Sequence, residues 1–225
     1  YDAYKDAISK IGYPSILKTR TLGYDGKGQL HVDEKTENTK IITHLQKGPC
    51  ILESKIKFDK EISVIICRGP TGAVISFDPS ENIHVDGILR ETSVPAQISD
   101  DIKVSAISTA GRLVNKLNYV GVMGVEFFVV ESKRLLVNEI APRVHNSGHW
   151  TQNGCMIDQF EQHIRAITGM NLGNGSRYAN VKMVNLIGED INHLNDETIG
   201  SVYIYGKNET KPLRKMGHIN YVTHH

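Results

Sequence analysis

Glu126 and Glu139 are the residues whose placement points most directly to chemistry. They sit on two apolar runs, GVMGVEFFVV and LLVNEI, separated by Glu131-Ser132-Lys133-Arg134. If those four residues form the turn of a hairpin, Val130 pairs with Leu135 and Glu126 with Glu139. Directly opposed carboxylates repel, and an uncompensated pair is destabilising. A divalent cation between them reverses the sign, and magnesium is the ion that combines carboxylates with phosphate oxygens. Asn138 adds a further oxygen donor if its strand bulges. Phe128, Val130, Leu135 and Val137 are then expected on the glutamates' face. A register shifted by one residue would instead turn one glutamate to solvent.

Three further clusters carry polar chemistry. The segment Gly23-Tyr24-Asp25-Gly26-Lys27-Gly28 has glycines that let successive backbone N–H groups close over phosphate oxygens, with Lys27 supplying charge. It has neither the P-loop nor the dinucleotide-binding spacing. Lys18, on a short strand beside Ile16 and Leu17, calls for an anionic partner unless it faces solvent. The run NEIAPRVHNSGH follows the second glutamate strand and gathers Asn138, Arg143, His145, Asn146, Ser147, Gly148 and His149. No third ligand stands at a zinc-like offset, so the histidines are read as hydrogen-bonding or proton-transfer groups. Arg214 and Lys215 form a basic turn able to receive a phosphate. Trp150 and Phe160 are assigned to packing.

The elements that must position these groups follow from periodicity and breakers. Helices are expected over 2–10, 34–47, 99–117 and 156–168, the last with Ile157, Phe160, Ile164 and Ile167 on one face. Strands are expected over 15–20, 30–32, 50–56, 61–68, 73–77, 88–94, 121–130 and 135–140, followed by VKMVNLIG and SVYIYG. Hairpin-paired strands covered by a few helices read as an α+β fold.

The 225 residues are 40% hydrophobic, enough for one large core or two small ones. Lys plus Arg number 26 against 25 Asp plus Glu, a formal charge of +1, so nothing in the bulk charge favours a nucleic-acid or membrane partner. Cys50, Cys67 and Cys155 are odd in number and far apart, which fits a reducing compartment and hence the cytoplasm. Tyr1 opens directly into a helix, with no initiator methionine, as a partial chain would.

Taken together, GYPSILKTRTLGYDGKGQ, ILESKIKFDKEISVI, ENIHVDGIL, GVMGVEFFVV, NEIAPRVHNSGHWTQNG, DQFEQHIRAITG and RKMGHIN resemble the N5-carboxyaminoimidazole ribonucleotide synthetases of the ATP-grasp superfamily. The resemblance runs from about Gly12 to Asn220, with the motifs in family order.

It implies an ATP-grasp fold with a small subdomain over 1–60, a large one over 61–170 and a β-rich C-terminal domain over 171–225. The family's Rossmann-like pre-ATP domain, linker and upstream ATP-reaching lysine are not found before Tyr1. Lys18 would contact ATP phosphates under the loop Gly23–Gly28. Glu53, Ser54, Lys55 and Ile56 would meet the adenine end and Glu61 the ribose, with His84 near the cleft. Glu126 and Glu139 would carry two magnesium ions, and Asn138 and Arg143 would border the phosphates and the transferred group. His145, Asn146, Ser147, Gly148 and His149 would form the site for 5-aminoimidazole ribonucleotide, with Arg214 and Lys215 on its phosphate.

The implied reaction is ATP-dependent carboxylation by bicarbonate through carboxyphosphate, in a homodimeric carbon–nitrogen ligase. Lys18 and Arg143 would stabilise the transferring phosphoryl group, and His145 or His149 would orient the amine or take its proton. Another ATP-grasp ligase, such as a formate-using transformylase or a biotin-dependent carboxylase, would share the grasp residues but differ in HNSGH and RKMGHIN. A non-catalytic nucleotide-binding protein would bind ATP without bicarbonate-dependent phosphate release.

Overall fold

The computed structural model describes residues 1–21, 27–195 and 197–223, so Gly23, Tyr24, Asp25 and Gly26 of the expected phosphate loop lie outside the described residues. The chain forms two compact units, residues 1–57 with 86–88, and residues 58–85 with 89–225.

In the first unit, α1 (Asp2–Ile11) leads into β1 (Ser15–Thr19), β2 (Gln29–Val32), α2 (Asn38–Leu45) and β3 (Cys50–Ser54). The sheet order is β2-β1-β3, and both pairings are antiparallel. Leu17 stands between Leu30 and Leu52 across the strands. With Val32, these side chains pack on Tyr4 and Ile8 of α1 and on Ile41 and Leu45 of α2. Strand alternation turns Lys18 to the opposite face.

The second helix is shorter than the expected 34–47. Asp33 accepts from Lys35 N–H and from the Thr36 hydroxyl, and Thr36 Oγ1 in turn accepts from Asp33 N–H, so these residues close a local turn before the helix begins.

The second unit contains β4 (Lys60–Arg68), β5 (Val74–Ser76), β6 (Ser80–Val85), all but the first residue of β7 (Ile88–Val94), α3 (Asp100–Lys116), β8 (Gly121–Val130) and β9 (Arg134–Ala141). The helical turn α4 (Thr151–Gly154), α5 (Gln159–Ile167), β10 (Asn180–Ile187), β11 (Ser201–Ile204) and β12 (Lys215–Thr223) follow. Nine strands make one sheet in the order β11-β12-β10-β7-β6-β4-β8-β9, with β5 on β4. The final strands therefore extend the sheet that carries the glutamates.

Both faces of this sheet are covered. On one, Ile62, Val64, Ile66, Met123, Val125, Phe127 and Val129 pack on Ile102, Ala106, Ala110 and Val114 of α3. Each fully buried Ile or Val there contributes about 1.5–3 kcal/mol. Ser99 caps α3 by accepting from Ile102 N–H, with Asp100 and Asp101 in its first turn. On the other face Ile65, Cys67 and Val122 pack with Trp150, Phe77 and Ala166. Trp150 is fully buried, in keeping with its assignment to packing.

Two elements depart from the periodicity. The last helix begins at Gln159, because Asp158 accepts from Phe160 N–H and Glu161 N–H as its N-cap. Its buried positions are Gln159, Gln162 and Ala166, while Ile164 and Ile167 are each 53% exposed, the reverse of the expected apolar face. The strand β6 was not anticipated, because it buries Ser80 and Asn82 and exposes Ile83 and Val85.

The glutamate hairpin also differs in detail. Its turn has three residues, Glu131, Ser132 and Lys133, and sets Val130 opposite Arg134 in place of Leu135. Glu131 and Ser132 both have positive φ, held by Ser132 N–H donating to Asp59 at 2.7 Å. A bulge at Asn138 then restores Glu126 opposite Glu139. The expected glutamate pairing is thus correct although the expected turn is one residue too long. Leu135 and Val137 pair with Val129 and Phe127 and lie on the face opposite the glutamates, which corrects their expected side.

Candidate active site

Cross-strand register assembles the site on one face of β4, β6, β8 and β9. Ser63 lies opposite both Ser80 and Glu126, Glu61 lies opposite both Asn82 and Phe128, and Glu126 lies opposite Glu139. Leaving β9, the chain folds back through a short 3-10 turn, Asn146–Gly148, and brings His145 over Glu126. The His145 Nε2 to Glu126 Oε1 distance is 3.6 Å.

Glu126, Glu139 and His145 each present a ligand-type atom, all within 4.8 Å of one another. His145 Nδ1 accepts from Ser147 N–H at 3.4 Å and lies 2.8 Å from Ser147 Oγ. An accepting Nδ1 leaves the neutral ring's proton on Nε2, facing the carboxylate. At 3.6 Å the His145 ring is beyond hydrogen-bond reach of Glu126, and the carboxylate oxygens are a donor set suited to a hard ion. Burial, reinforced by the charge of Glu139, raises the Glu126 pKa to about 7, while His84 and Lys215 pull the other way. A carboxyl so destabilised as an anion is one that a cation would relieve.

Lys215, at the start of β12, acts electrostatically on Glu126, His84 and His149, which places the RKMGH segment at the same site. His84 Nδ1 lies 2.7 Å from Glu61 Oε2. Burial opposes charge on His84, but its bond to Glu61 and the charges of Glu61 and Glu126 outweigh burial and raise its pKa. His149 is depressed to about 3 by burial and by His218, His145 and Lys215, and burial depresses His218 to about 4.

The HNSGH turn is bonded inward. Asn146 and Asn185 exchange amide hydrogen bonds of 3.0 and 2.7 Å. Ser147 is buried and accepts from Ser63 Oγ at 2.7 Å. Gly148 is also buried. Both residues shape the turn that carries the expected ribonucleotide site.

A buried polar chain continues below them. Asn82 Nδ2 donates to Ser63 Oγ at 3.1 Å, Ser80 Oγ lies 3.0 Å from Ser63 Oγ, and Thr92 donates to Asn82 Oδ1 at 2.9 Å. Sequence inspection missed Ser63, Ser80, Asn82 and Thr92. No local pattern marked them; Ser63, for example, is a single small polar residue between Ile62 and Val64 within a strand.

Gly124 makes room for His145. A Cβ there would meet His145 Cβ at 2.8 Å and Cγ at 2.9 Å, and both belong to the stem of the side chain. Gly124→Ala should force the turn outward, costing about 1–3 kcal/mol of stability. Thermal unfolding read alongside turnover checks this, and an unchanged melting temperature would show that the turn is not held as described.

In the first unit, Lys18 Nζ and Glu53 Oε2 form an ion pair at 2.6 Å. The anionic partner that Lys18 required is thus present within the protein. Ser54 ends β3, and the Lys55 N–H donates to the Pro14 carbonyl at 3.0 Å. Gly28, with φ of 79°, returns the chain toward β2, and its carbonyl accepts from Thr19 N–H. Arg143 and Arg214 are not drawn into the cluster by any described bond. Arg143 donates to the Val144 carbonyl at 2.9 Å and Arg214 to the Glu209 carbonyl at 3.4 Å.

Residues 1–160 of this α+β chain, which include the opposed glutamate pair, match the ATP-grasp domain model. The chain belongs to the ATP-grasp family. Residues 182–225 match the phosphoribosylaminoimidazole carboxylase C-terminal domain.

Among curated relatives, the chain is 46% identical over 218 residues to the N5-carboxyaminoimidazole ribonucleotide synthase of Brucella melitensis, covering 95% of this chain and 60% of that protein. A solved N5-carboxyaminoimidazole ribonucleotide synthetase in complex with ADP superposes with a TM-score of 0.93 at 41% identity, covering 99% of this chain and 60% of that one. The Aspergillus clavatus enzyme in complex with ADP and 5-aminoimidazole ribonucleotide gives 0.90 at 29% identity, covering 99% and 60%. The chain thus spans about 60% of the length of these relatives.

Proposed function

We propose that this chain is the ATP-grasp portion of an N5-carboxyaminoimidazole ribonucleotide synthase, which uses ATP and bicarbonate to carboxylate the amine of 5-aminoimidazole ribonucleotide. The observation that carries this reading is the cross-strand Glu126–Glu139 pair beside His145 of the HNSGH turn, in a chain similar to enzymes of that name. In the cell the protein would act in the cytoplasm as a homodimer. Among the described residues no helix is long and apolar enough to cross a membrane, and the three cysteines are free.

Bicarbonate is a poor electrophile because its leaving group is hydroxide or oxide. Transfer of the ATP γ-phosphoryl group to a bicarbonate oxygen gives carboxyphosphate and ADP, and attack of the amine then expels phosphate. Glu126 and Glu139 would hold magnesium, two ions by family resemblance, with Asn138 alongside. When bound, magnesium supplies positive charge against the phosphoryl oxygens.

The chain's own residues do the rest. Lys18, Lys27 and the glycines Gly23, Gly26 and Gly28 bind phosphate, with Tyr24 and Asp25 in the same loop. Glu53, Ser54, Lys55 and Ile56 bind the base and Glu61 the ribose, with His84 near the cleft beside Glu61. His145 stands beside Glu126, its Nε2 3.6 Å from the carboxylate. Arg143, Asn146, His149, Arg214 and Lys215 form the ribonucleotide side, where Lys215 offers the charge a phosphate needs.

Phosphate release by the full-length protein should require both bicarbonate and 5-aminoimidazole ribonucleotide. ATP binding without such release, or turnover with formate in place of bicarbonate, would overturn the proposal.

A further inference from the structure

The inverted burial of α5 has a use. Gln159 is fully buried on the helix face that meets the HNSGH turn. Its Oε1 accepts from His145 N–H at 2.9 Å, and its Nε2 donates to the His145 carbonyl at 2.8 Å. A backbone N–H can only donate and a carbonyl can only accept, so this double bond fixes which end of the carboxamide is nitrogen. The second Nε2 hydrogen then points at His149 Nδ1, 2.9 Å away. Nδ1 must therefore present its lone pair, and the proton of the neutral imidazole sits on Nε2.

Two observations bind this arrangement to its place. A Cβ on Gly148 would meet Gln159 Oε1 at 2.6 Å and Cδ at 2.8 Å, so the amide is pressed against a position that only glycine can fill. Thr151 Oγ1 donates to the Gly148 carbonyl at 2.6 Å and accepts from Gln159 N–H at 3.1 Å, which ties the start of the helix to the end of the turn.

We propose that Gln159 is a positioning residue that holds the His145 peptide and fixes His149 as its Nε2–H tautomer, so that His149 donates a hydrogen bond to a substrate oxygen and is not the acceptor of the amine proton. This rests on the ribonucleotide side of the site lying at the HNSGH turn. It decides between the two roles open to His149, orienting the substrate or accepting its proton, in favour of the first.

The same helix supplies a control. Gln162 is also fully buried, and it clamps the Gly173 peptide by donating to its carbonyl at 2.8 Å and accepting from its N–H at 3.0 Å. Its carboxamide is used in the same way, but on a segment that follows the helix.

The test is long-range proton–nitrogen correlation NMR on histidine-labelled full-length protein, with steady-state kinetics on Gln159→Glu and Gln162→Glu. Wild type should show His149 protonated at Nε2 and bare at Nδ1. Gln159→Glu, whose carboxylate cannot donate, should place a proton on Nδ1 and lower kcat/KM for the ribonucleotide roughly 100-fold. The KM for ATP should stay within about threefold of wild type. Gln162→Glu should lower the melting temperature and leave the His149 signals in place.

A wild-type His149 protonated at Nδ1 overturns the proposal without any variant having to fold. So does a Gln159→Glu protein that keeps both the His149 signals and kcat/KM. If wild type shows the expected tautomer but turns over no ribonucleotide, the functional reading fails and the tautomer assignment stands.

Discussion

Full-length protein carrying both Glu126→Gln and Glu139→Gln should lose bicarbonate-dependent ADP formation by on the order of 1,000-fold, the scale on which losing aligned electrostatic stabilisation reduces catalysis. The substitutions keep shape and remove charge. In the absence of a cation the pair is a liability, since burial and mutual repulsion already push the Glu126 pKa to about 7. The double variant should therefore melt higher than wild type in a chelator at pH 8, while magnesium should raise the melting temperature of wild type alone. Turnover at the wild-type rate would remove the metal assignment, and a variant that melts lower in chelator would remove the electrostatic argument.

Acid should weaken the fold through His149 and His218. Both folded pKa values lie below the ordinary 6.5, at about 3 and about 4, because burial disfavours the charged ring and His149 also faces His218, His145 and Lys215. His218 further bonds the Tyr205 hydroxyl through Nδ1 at 2.8 Å and stacks on Tyr203. As pH falls below 6.5 the unfolded chain takes up protons that the native state refuses, so the unfolded state gains. The stability from each neutral histidine is fully present above pH 6.5 and falls by roughly 1.4 kcal/mol per pH unit until its folded pKa is reached. Urea unfolding at pH 7, 6 and 5 measures the net slope, to which Glu126 and His84, with raised pKa values, contribute in the opposite sense. Replacing His218 by Gln should make it shallower, and an unchanged slope in that variant would exclude His218 as a source.

Much of this molecule was legible because apolar periodicity reports which surfaces leave water. The strands Ile88–Val94 and Gly121–Val130 appear with their expected bounds, and α3 differs from expectation by a residue at each end. The glutamates could be singled out because like charges facing each other across an apolar hairpin need a reason. The same rule failed on β6 and α5, where the buried residues are Ser80, Asn82, Gln159 and Gln162. A polar side chain that is buried because its hydrogen bonds are satisfied leaves no hydrophobic pattern to read.

The residue types alone determined the α+β class, most of the elements, the two carboxylates and the basic pair Arg214 and Lys215, although Lys215 opens β12 where a turn was expected. Tertiary structure decided which of these meet. The bulge at Asn138 keeps Glu126 facing Glu139, and β12 brings Lys215 into the electrostatic range of Glu126 and His84. Hydrogen bonds from residues distant in the chain set the protonation pattern of His149. Composition and spacing constrain what each segment can become. A bulge, a tautomer or a shared amide depends on partners that only the folded chain supplies.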